Sequence, residues 1–370
     1  VNSVADSLTS VRMAGSVMGR YRPGEIRWHY EHGLVMQAIF LLGQRTGREE
    51  FCSYVKSMYD TKIDPGGGIL TYRESEFNLD QVNPGKVLFL LHEKYGEEKY
   101  RIAIETLREQ LRKHPRTKAG GFWHKQIYPW QMWLDGLYMQ GPFYAQYAAS
   151  YGSPGDFADI ALQFTLAESK ARDDETGLLY HAWDESRGQK WANPDTGCSP
   201  HFWGRALGWY CMALLDTLDF VPCGEAADSL AAIARRLLGP LLKYQDQQSG
   251  LWYQVMDRGS EAGNYTESSA SSMFAYFLFK MLRLGLVPRD EVGWVKAAAD
   301  MAYHGLAEQK LREEPDGELH LIDICAVAGL GGNPYRDGSY EYYVGEPVAT
   351  DDFKGVGPFI LASMEKEGLF

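Results

Sequence analysis

One stretch of this chain concentrates side chains that can do chemistry. The run Tyr128-Pro-Trp-Gln-Met-Trp-Leu-Asp-Gly-Leu-Tyr-Met-Gln-Gly-Pro142 sets a single carboxylate, Asp135, among Tyr128, Trp130, Trp133, Tyr138 and Met139. A carboxylate buried in such a setting is costly unless it is partnered. Two roles fit it. Asp135 could brace or cap a helix that begins here, or it could be a catalytic acid whose pKa is raised by its apolar surroundings. The stretch alone leaves both open.

Other candidates lie at similar positions, each with a plainer alternative. Asp80, at the start of Asp80-Gln-Val-Asn-Pro-Gly85, is a second carboxylate that a fold could bring close to Asp135; Asp is also favoured as a plain N-cap. His181, in Tyr-His-Ala-Trp-Asp, and His124, in Gly-Phe-Trp-His, could bond a sugar hydroxyl or orient water, although a lone His is more often structural. Arg205 lies between Trp203 and Trp209 and offers a planar fork suited to a carboxylate, or to a structural acid. Tyr30, Trp133 and Trp209 are candidate stacking faces, with core packing the default for any aromatic. His29 and His32 flank Glu31, but there is no HExxH motif and no compact Cys/His cluster, so no metal is expected. Glu267-Ser-Ser-Ala-Ser-Ser272 opens a helix with small residues and hydroxyls, its role open.

These residues need elements to position them, and the chain supplies a recurring format. Very apolar helices are predicted to begin near residues 28, 83, 133, 202, 266 and 352. Each of the first five is followed by an amphipathic partner, at 49–59, 100–113, 157–171, 226–244 and 291–311. A first helix over residues 5–18 is left to pair with the last one, which closes a ring of six hairpins. The expectation is an all-α (α/α)6 barrel spanning residues 1–370 as one domain. Short β pieces are expected in the loops at 177–183 and 250–257, each after a Thr-Gly or Ser-Gly turn. The candidate residues fall where the inner helices begin, so they should gather at one end of the ring around a cavity. A Gly- and Tyr-rich loop, 329–346, is placed to cover it.

Composition narrows the partners. The net charge is −12, with no Lys/Arg-rich run, which argues against nucleic acid and anionic membrane surfaces. Ten Trp and twenty-three Tyr suit a flat-faced ligand such as a sugar, and equally an aromatic core. Five Cys without a CxxC pair fit reduced thiols. No apolar run approaches membrane-spanning length and no leader pattern stands at the start, so a cytoplasmic protein is expected. The sequence leaves the oligomeric state open, with a monomer favoured.

Several long motifs together resemble one family. Arg27-Trp-His-Tyr, Gly121-Phe-Trp-His124, the Tyr128 to Met139 run, Leu179-Tyr-His-Ala-Trp-Asp184, Trp191-Ala-Asn-Pro-Asp-Thr-Gly-Cys-Ser-Pro200, Gly250-Leu-Trp-Tyr-Gln254 and Glu267-Ser-Ser-Ala-Ser-Ser272 are similar to the unsaturated rhamnogalacturonyl hydrolases, family 105 of the glycoside hydrolases. The likeness runs from about residue 27 to the end and implies the same (α/α)6 fold. It implies a substrate carrying 4,5-unsaturated galacturonic acid, linked to rhamnose, at its non-reducing end. It also implies hydration of the vinyl ether: an acid protonates C4, water adds at C5, and the hemiketal opens. No cofactor or metal is implied. By this resemblance Asp135 is the catalytic acid and base, and His181 and His124 gain a site role; Asp80 is the candidate second carboxylate beside it, and Tyr30, Trp133, Arg205 and Trp209 remain candidates, on their own chemistry, for contact with the sugar. For this role Asp135 must hold a proton near neutral pH, which apolar burial or a nearby Asp80 would favour. Three alternatives stay open: an unsaturated glucuronyl hydrolase acting on glycosaminoglycan fragments, two-carboxylate inverting hydrolysis by Asp135 and Asp80, and a sugar-binding toroid without catalysis.

Overall fold

A computed structural model describes residues 7–370, so the first two residues of the expected opening helix lie outside the described residues. In chain order come α1 (Thr9–Arg20), the pair α2 (Tyr30–Thr46) and α3 (Glu49–Tyr59), and the pair α4 (Gly85–Tyr95) and α5 (Glu98–Lys113). Then follow α6 (Leu134–Tyr151) and α7 (Pro154–Ala171), α8 (Gly204–Leu218) and α9 (Glu225–Tyr244), and α10 (Ser268–Arg283) and α11 (Val292–Gly305). A short α12 (Tyr340–Gly345) sits in the last loop, and α13 (Phe353–Lys366) ends the fold.

The six inner helices each begin one or two residues after the expected positions, because the preceding residue or two are extended or turned caps. They pack in a closed ring, α2 on α4, α4 on α6, α6 on α8, α8 on α10, α10 on α13 and α13 back on α2. Each inner helix carries an outer partner, with α1 serving α13. The structure is thus an (α/α)6 toroid. Its division of labour follows from the sequence: α8 is buried on every side from Gly204 to Thr217, whereas α5 and α9 bury one stripe. Ring closure depends on one small residue. A Cβ on Gly357 of α13 would lie 2.6 Å from Leu34 of α2, so only glycine lets the last inner helix approach the first.

The β content of the described residues is three two-stranded ladders. They are β1 (Gln131–Trp133) with β2 (Ala182–Asp184), β3 (Leu311–Glu313) with β4 (Leu319–Leu321), and β5 (Ile324–Cys325) with β6 (Val348–Ala349), all antiparallel. The expected β piece at 250–257 makes only isolated bridges, Trp203 to Val255 and Tyr253 to Thr266. The helix expected through residue 311 stops at Gly305, runs on as a π-helical turn to Lys310, and becomes β3. No helix among the described residues is long and apolar enough to cross a membrane.

Candidate active site

Three backbone bonds assemble the site. The Leu79 N–H donates to the His124 carbonyl at 3.2 Å, the His124 N–H to the Gln131 carbonyl at 2.8 Å, and the Leu134 N–H to the His181 carbonyl at 3.0 Å. Between the last two, β1 and β2 pair with Trp133 opposite Ala182. The result carries Asp80, His124, Asp135 and His181, up to a hundred residues apart in sequence, to the end of the ring where the inner helices start. A Cβ on Gly136 would stand 3.0 Å from His124 Nδ1 and 3.2 Å from Leu79, so the residue after Asp135 must be small for these segments to meet.

Asp135 lies in the first turn of α6. Its Oδ2 is 3.2 Å from His181 Nε2, although the two atoms are not aligned as a hydrogen bond. His181 Nδ1 is 2.7 Å from the Tyr343 hydroxyl, contributed by α12. The pair differs in access. Asp135 is 9% exposed and His181 0%, so a ligand reaching the site meets the carboxylate and not the ring. The expectation that His181 faces the cavity is corrected: it is packed behind Asp135, against Trp133, Trp203 and Tyr343.

Asp80 sits in a single 3-10 turn, Leu79–Gln81, not at the head of α4. Lys125 Nζ is 2.6 Å from Asp80 Oδ2, and His124 Nε2 is 3.7 Å from Oδ1. Burial pushes the Asp80 carboxyl up, but Lys125, His124 and His29 hold it below its ordinary value. It is therefore an ion-pair partner and not the source of a raised Asp135 pKa.

The same competition applies to Asp135. Burial pushes its carboxyl up, and His181 and His124 outweigh that, leaving it below the ordinary carboxylate value. This direction runs against the expectation that Asp135 rests protonated. Its apolar neighbours are real, but two imidazoles stand within their shell. His124 itself is pulled down to about 4, chiefly by burial, despite Asp80. It stacks on Trp133 with centroids 4.6 Å apart, and Trp133 stacks on Tyr128 at 4.7 Å.

Two more candidates are repositioned. The Arg205 guanidinium, 1% exposed, donates to the carbonyls of Cys325 and Ala326 and to Ser269 Oγ, so its fork is turned onto β5 and α10. Trp209 is equally buried, with its face on Tyr138 at 4.9 Å and edge-on to Tyr30 at 5.8 Å. It forms a floor beneath Tyr30. Tyr30 remains partly exposed in the field of Asp80 and Asp135.

Other site groups are already committed. Glu267 caps α10 by accepting from the Ser269 and Ala270 N–H groups and from the Cys325 N–H. Glu31 lies 3.0 Å from His29 Nδ1 and 3.4 Å from Lys354 Nζ, and His32 Nδ1 accepts from the Arg27 N–H. Sequence reasoning missed Lys125, Tyr343 and Arg336. Lys125 follows His124 directly, and a cation adjacent to a candidate is the signal that could have found it. Arg336 donates to the Tyr128 hydroxyl at 3.0 Å, and Leu330 packs on Trp133, Ala182 and Trp191, so loop 329–346 does roof the site.

The helical toroid places this chain among the glycoside hydrolases. It belongs to the Glycosyl Hydrolase Family 88, whose profile matches residues 9–370. A solved family 105 glycoside hydrolase from C. acetobutylicum ATCC 824 is 45% identical, with TM-score 0.95, covering 98% of this chain and 100% of that one. Among curated relatives, the unsaturated rhamnogalacturonyl hydrolase YesR of Bacillus subtilis (strain 168) is 27% identical over 267 residues, 70% of this chain and 72% of that protein. Protein Atu3128 of Agrobacterium fabrum (strain C58 / ATCC 33970) is 44% identical over 226 residues, 60% of this chain and 96% of that protein.

Proposed function

We propose that this chain, as one catalytic domain, releases 4,5-unsaturated galacturonic acid from the non-reducing end of rhamnogalacturonan oligosaccharides, with Asp135 as acid and base. One observation carries the reading. Of the carboxylates at this end of the ring, Asp80 is held by Lys125, Glu31 by Lys354 and His29, and Glu267 by helix N–H groups. Asp135 is left with an unaligned imidazole and keeps 9% of its surface exposed. One free carboxylate suits hydration, in which the same group gives a proton and then takes one from water. Inverting hydrolysis needs two carboxylates with separated pKa values, and here both are lowered.

The substrate completes the acid. A uronate carboxylate entering past Tyr30 and Lys125 adds a negative charge and removes water, and both effects raise the Asp135 pKa. His181, 3.2 Å from Oδ2, acts as a positioning group, since it does not touch substrate. Asp135 protonates C4, water adds at C5, and the water's proton returns to Asp135. The C5 hemiketal then opens the ring and the saturated sugar leaves. Lys125 and Arg336, partly exposed at the rim, are better placed than Arg205 to meet the carboxylate. The rhamnose-linked substrate is supported by the likeness to YesR. Four buried free thiols, Cys52, Cys198, Cys211 and Cys325, support a reducing compartment.

The test is loss of the double bond's ultraviolet band with two disaccharides. Unsaturated galacturonyl-rhamnose should lose its band at least ten times faster than an unsaturated chondroitin disaccharide. The reverse preference would assign the chain to glycosaminoglycan fragments. A stable band with both would reject hydration.

A further inference from the structure

We propose that the opposite end of the toroid holds a second binding site, built around Lys86 and shaped for the carboxylate group of a small organic acid. A cavity of about 270 Å3 opens there, where the inner helices end, with Arg45, Asp219 and Arg283 near its mouth and Lys86 lining it from the first turn of α4. Lys86 is 1% exposed, and its Nζ has no hydrogen-bond partner among the described residues. The amine lies 3.8 Å from the centre of the Tyr138 ring, a contact that steadies a cation without satisfying its N–H donors. An ammonium held this way lacks the acceptor that its burial demands.

The other charged groups of the cavity already have ionic partners. Lys280 Nζ bonds Asp216 Oδ1 at 2.8 Å and Asp219 Oδ2 at 2.7 Å, and the Tyr276 hydroxyl donates to Asp216 Oδ1 at 2.7 Å. Arg283 is paired with Glu365 at 2.7 Å. Lys280 offsets only one of the two aspartates, so Lys86 at depth and Arg45, whose guanidinium lies over the Phe370 ring, leave the cavity with one net positive charge. The walls between them include Leu41, Leu90 and Leu361. A monoanionic head that reaches Lys86, on a body that covers these leucines, meets both needs. A phosphate dianion would bring more negative charge beside Asp216 and Asp219 than the cavity's one net positive charge offsets.

This site is separate from Asp135. Tyr138 and Trp209, stacked face to face, form the partition, with Tyr30 above and Lys86 below. Burial pulls the Lys86 amine down to about 7, with Asp216 opposing the pull and Lys280 reinforcing it. A bound carboxylate favours the ammonium, so binding near pH 7.5 takes up a proton.

The experiment is calorimetric titration of the whole chain with sodium propionate at pH 7.5, in two buffers of different ionisation enthalpy. Propionamide and phosphate are run in parallel. Propionate should bind with net proton uptake, propionamide should not bind, and phosphate should bind at least ten-fold more weakly. Lys86→Met should weaken propionate at least ten-fold and remove the uptake, while the rate on the unsaturated disaccharide is unchanged. Arg45→Ala, at an exposed position, should weaken binding several-fold and serves as the second variant if Lys86→Met fails to fold. No binding to the wild type at 50 mM-scale propionate, about the weakest range of interest, overturns the site. Equal affinity in Lys86→Met, or phosphate bound as tightly as propionate, overturns it as well.

Discussion

Asp135 Oδ2 stands 3.2 Å from His181 Nε2, and neither atom has an aligned hydrogen-bond partner. The two are close enough to share a proton and loose enough to be rearranged by a ligand. Asp135→Asn keeps the shape of the side chain and removes the group that gives and takes the proton. Turnover of the unsaturated disaccharide should fall by about 10²–10⁴-fold with the melting temperature nearly unchanged. Retained activity would remove Asp135 from the chemistry.

Tyr343 fixes His181 from behind at 2.7 Å. Tyr343→Phe leaves the buried Nδ1 without its partner, which should cost about 1–3 kcal/mol of stability. Because His181 acts through Asp135, kcat should drop about ten-fold, KM should stay within about two-fold, and the pH–rate profile should move. A change in KM alone would place Tyr343 against the substrate instead.

Lys125 neutralises Asp80. Lys125→Met strands a buried carboxylate. The loss should be about 2–3 kcal/mol, below the ~3–5 of a fully buried pair because Lys125 is partly exposed. If Lys125 also meets the uronate, KM should rise about ten-fold, worth about 1.4 kcal/mol of binding. Urea unfolding and steady-state kinetics check the two halves separately.

Gly136→Ala should destabilise. Helix propensity favours alanine by about 0.5–1 kcal/mol, but overpacking against His124 and Leu79 costs about 1–3 kcal/mol, at contacts of 3.0 and 3.2 Å. A more stable, fully active variant would show that His124 can shift freely.

Acid should weaken the fold before the carboxylates titrate. His114 and His124 are both pulled down to about 4, chiefly by burial. Between pH 6.5 and 4 the unfolded chain takes up protons that the folded one refuses, so stability falls as pH falls through this window. The loss is up to about 3 kcal/mol for each histidine, at about 1.4 kcal/mol for every ten-fold difference in proton affinity between the folded and unfolded chain. Asp80 and Asp135, depressed in the folded state, add stability that is present above about pH 4 and lost below it. Unfolding free energy should climb from pH 4.5 to 6.5 and then flatten. A flat profile across that range would contradict the burial of these rings.

The sequence by itself determined the ring. Apolar runs too long for one buried stripe, each followed by an amphipathic partner, can only be buried inside a layer of their own kind, and six such pairs close. Asp135 was legible too, because a carboxylate among Tyr128, Trp130 and Trp133 is expensive wherever it lies. The direction in which the Asp135 pKa is moved was decided by tertiary structure alone. His124 and His181 reach it through backbone bonds, the longest of which joins Leu134 to His181, and their fields reverse the direction that its apolar neighbours predict. Arg205 shows the same limit: its place at a helix start was readable, but the β5 carbonyls that occupy its fork come from residues 325 and 326. Burial is written locally in a sequence, whereas the sign of an electrostatic field depends on which distant charges the fold brings within a few ångströms.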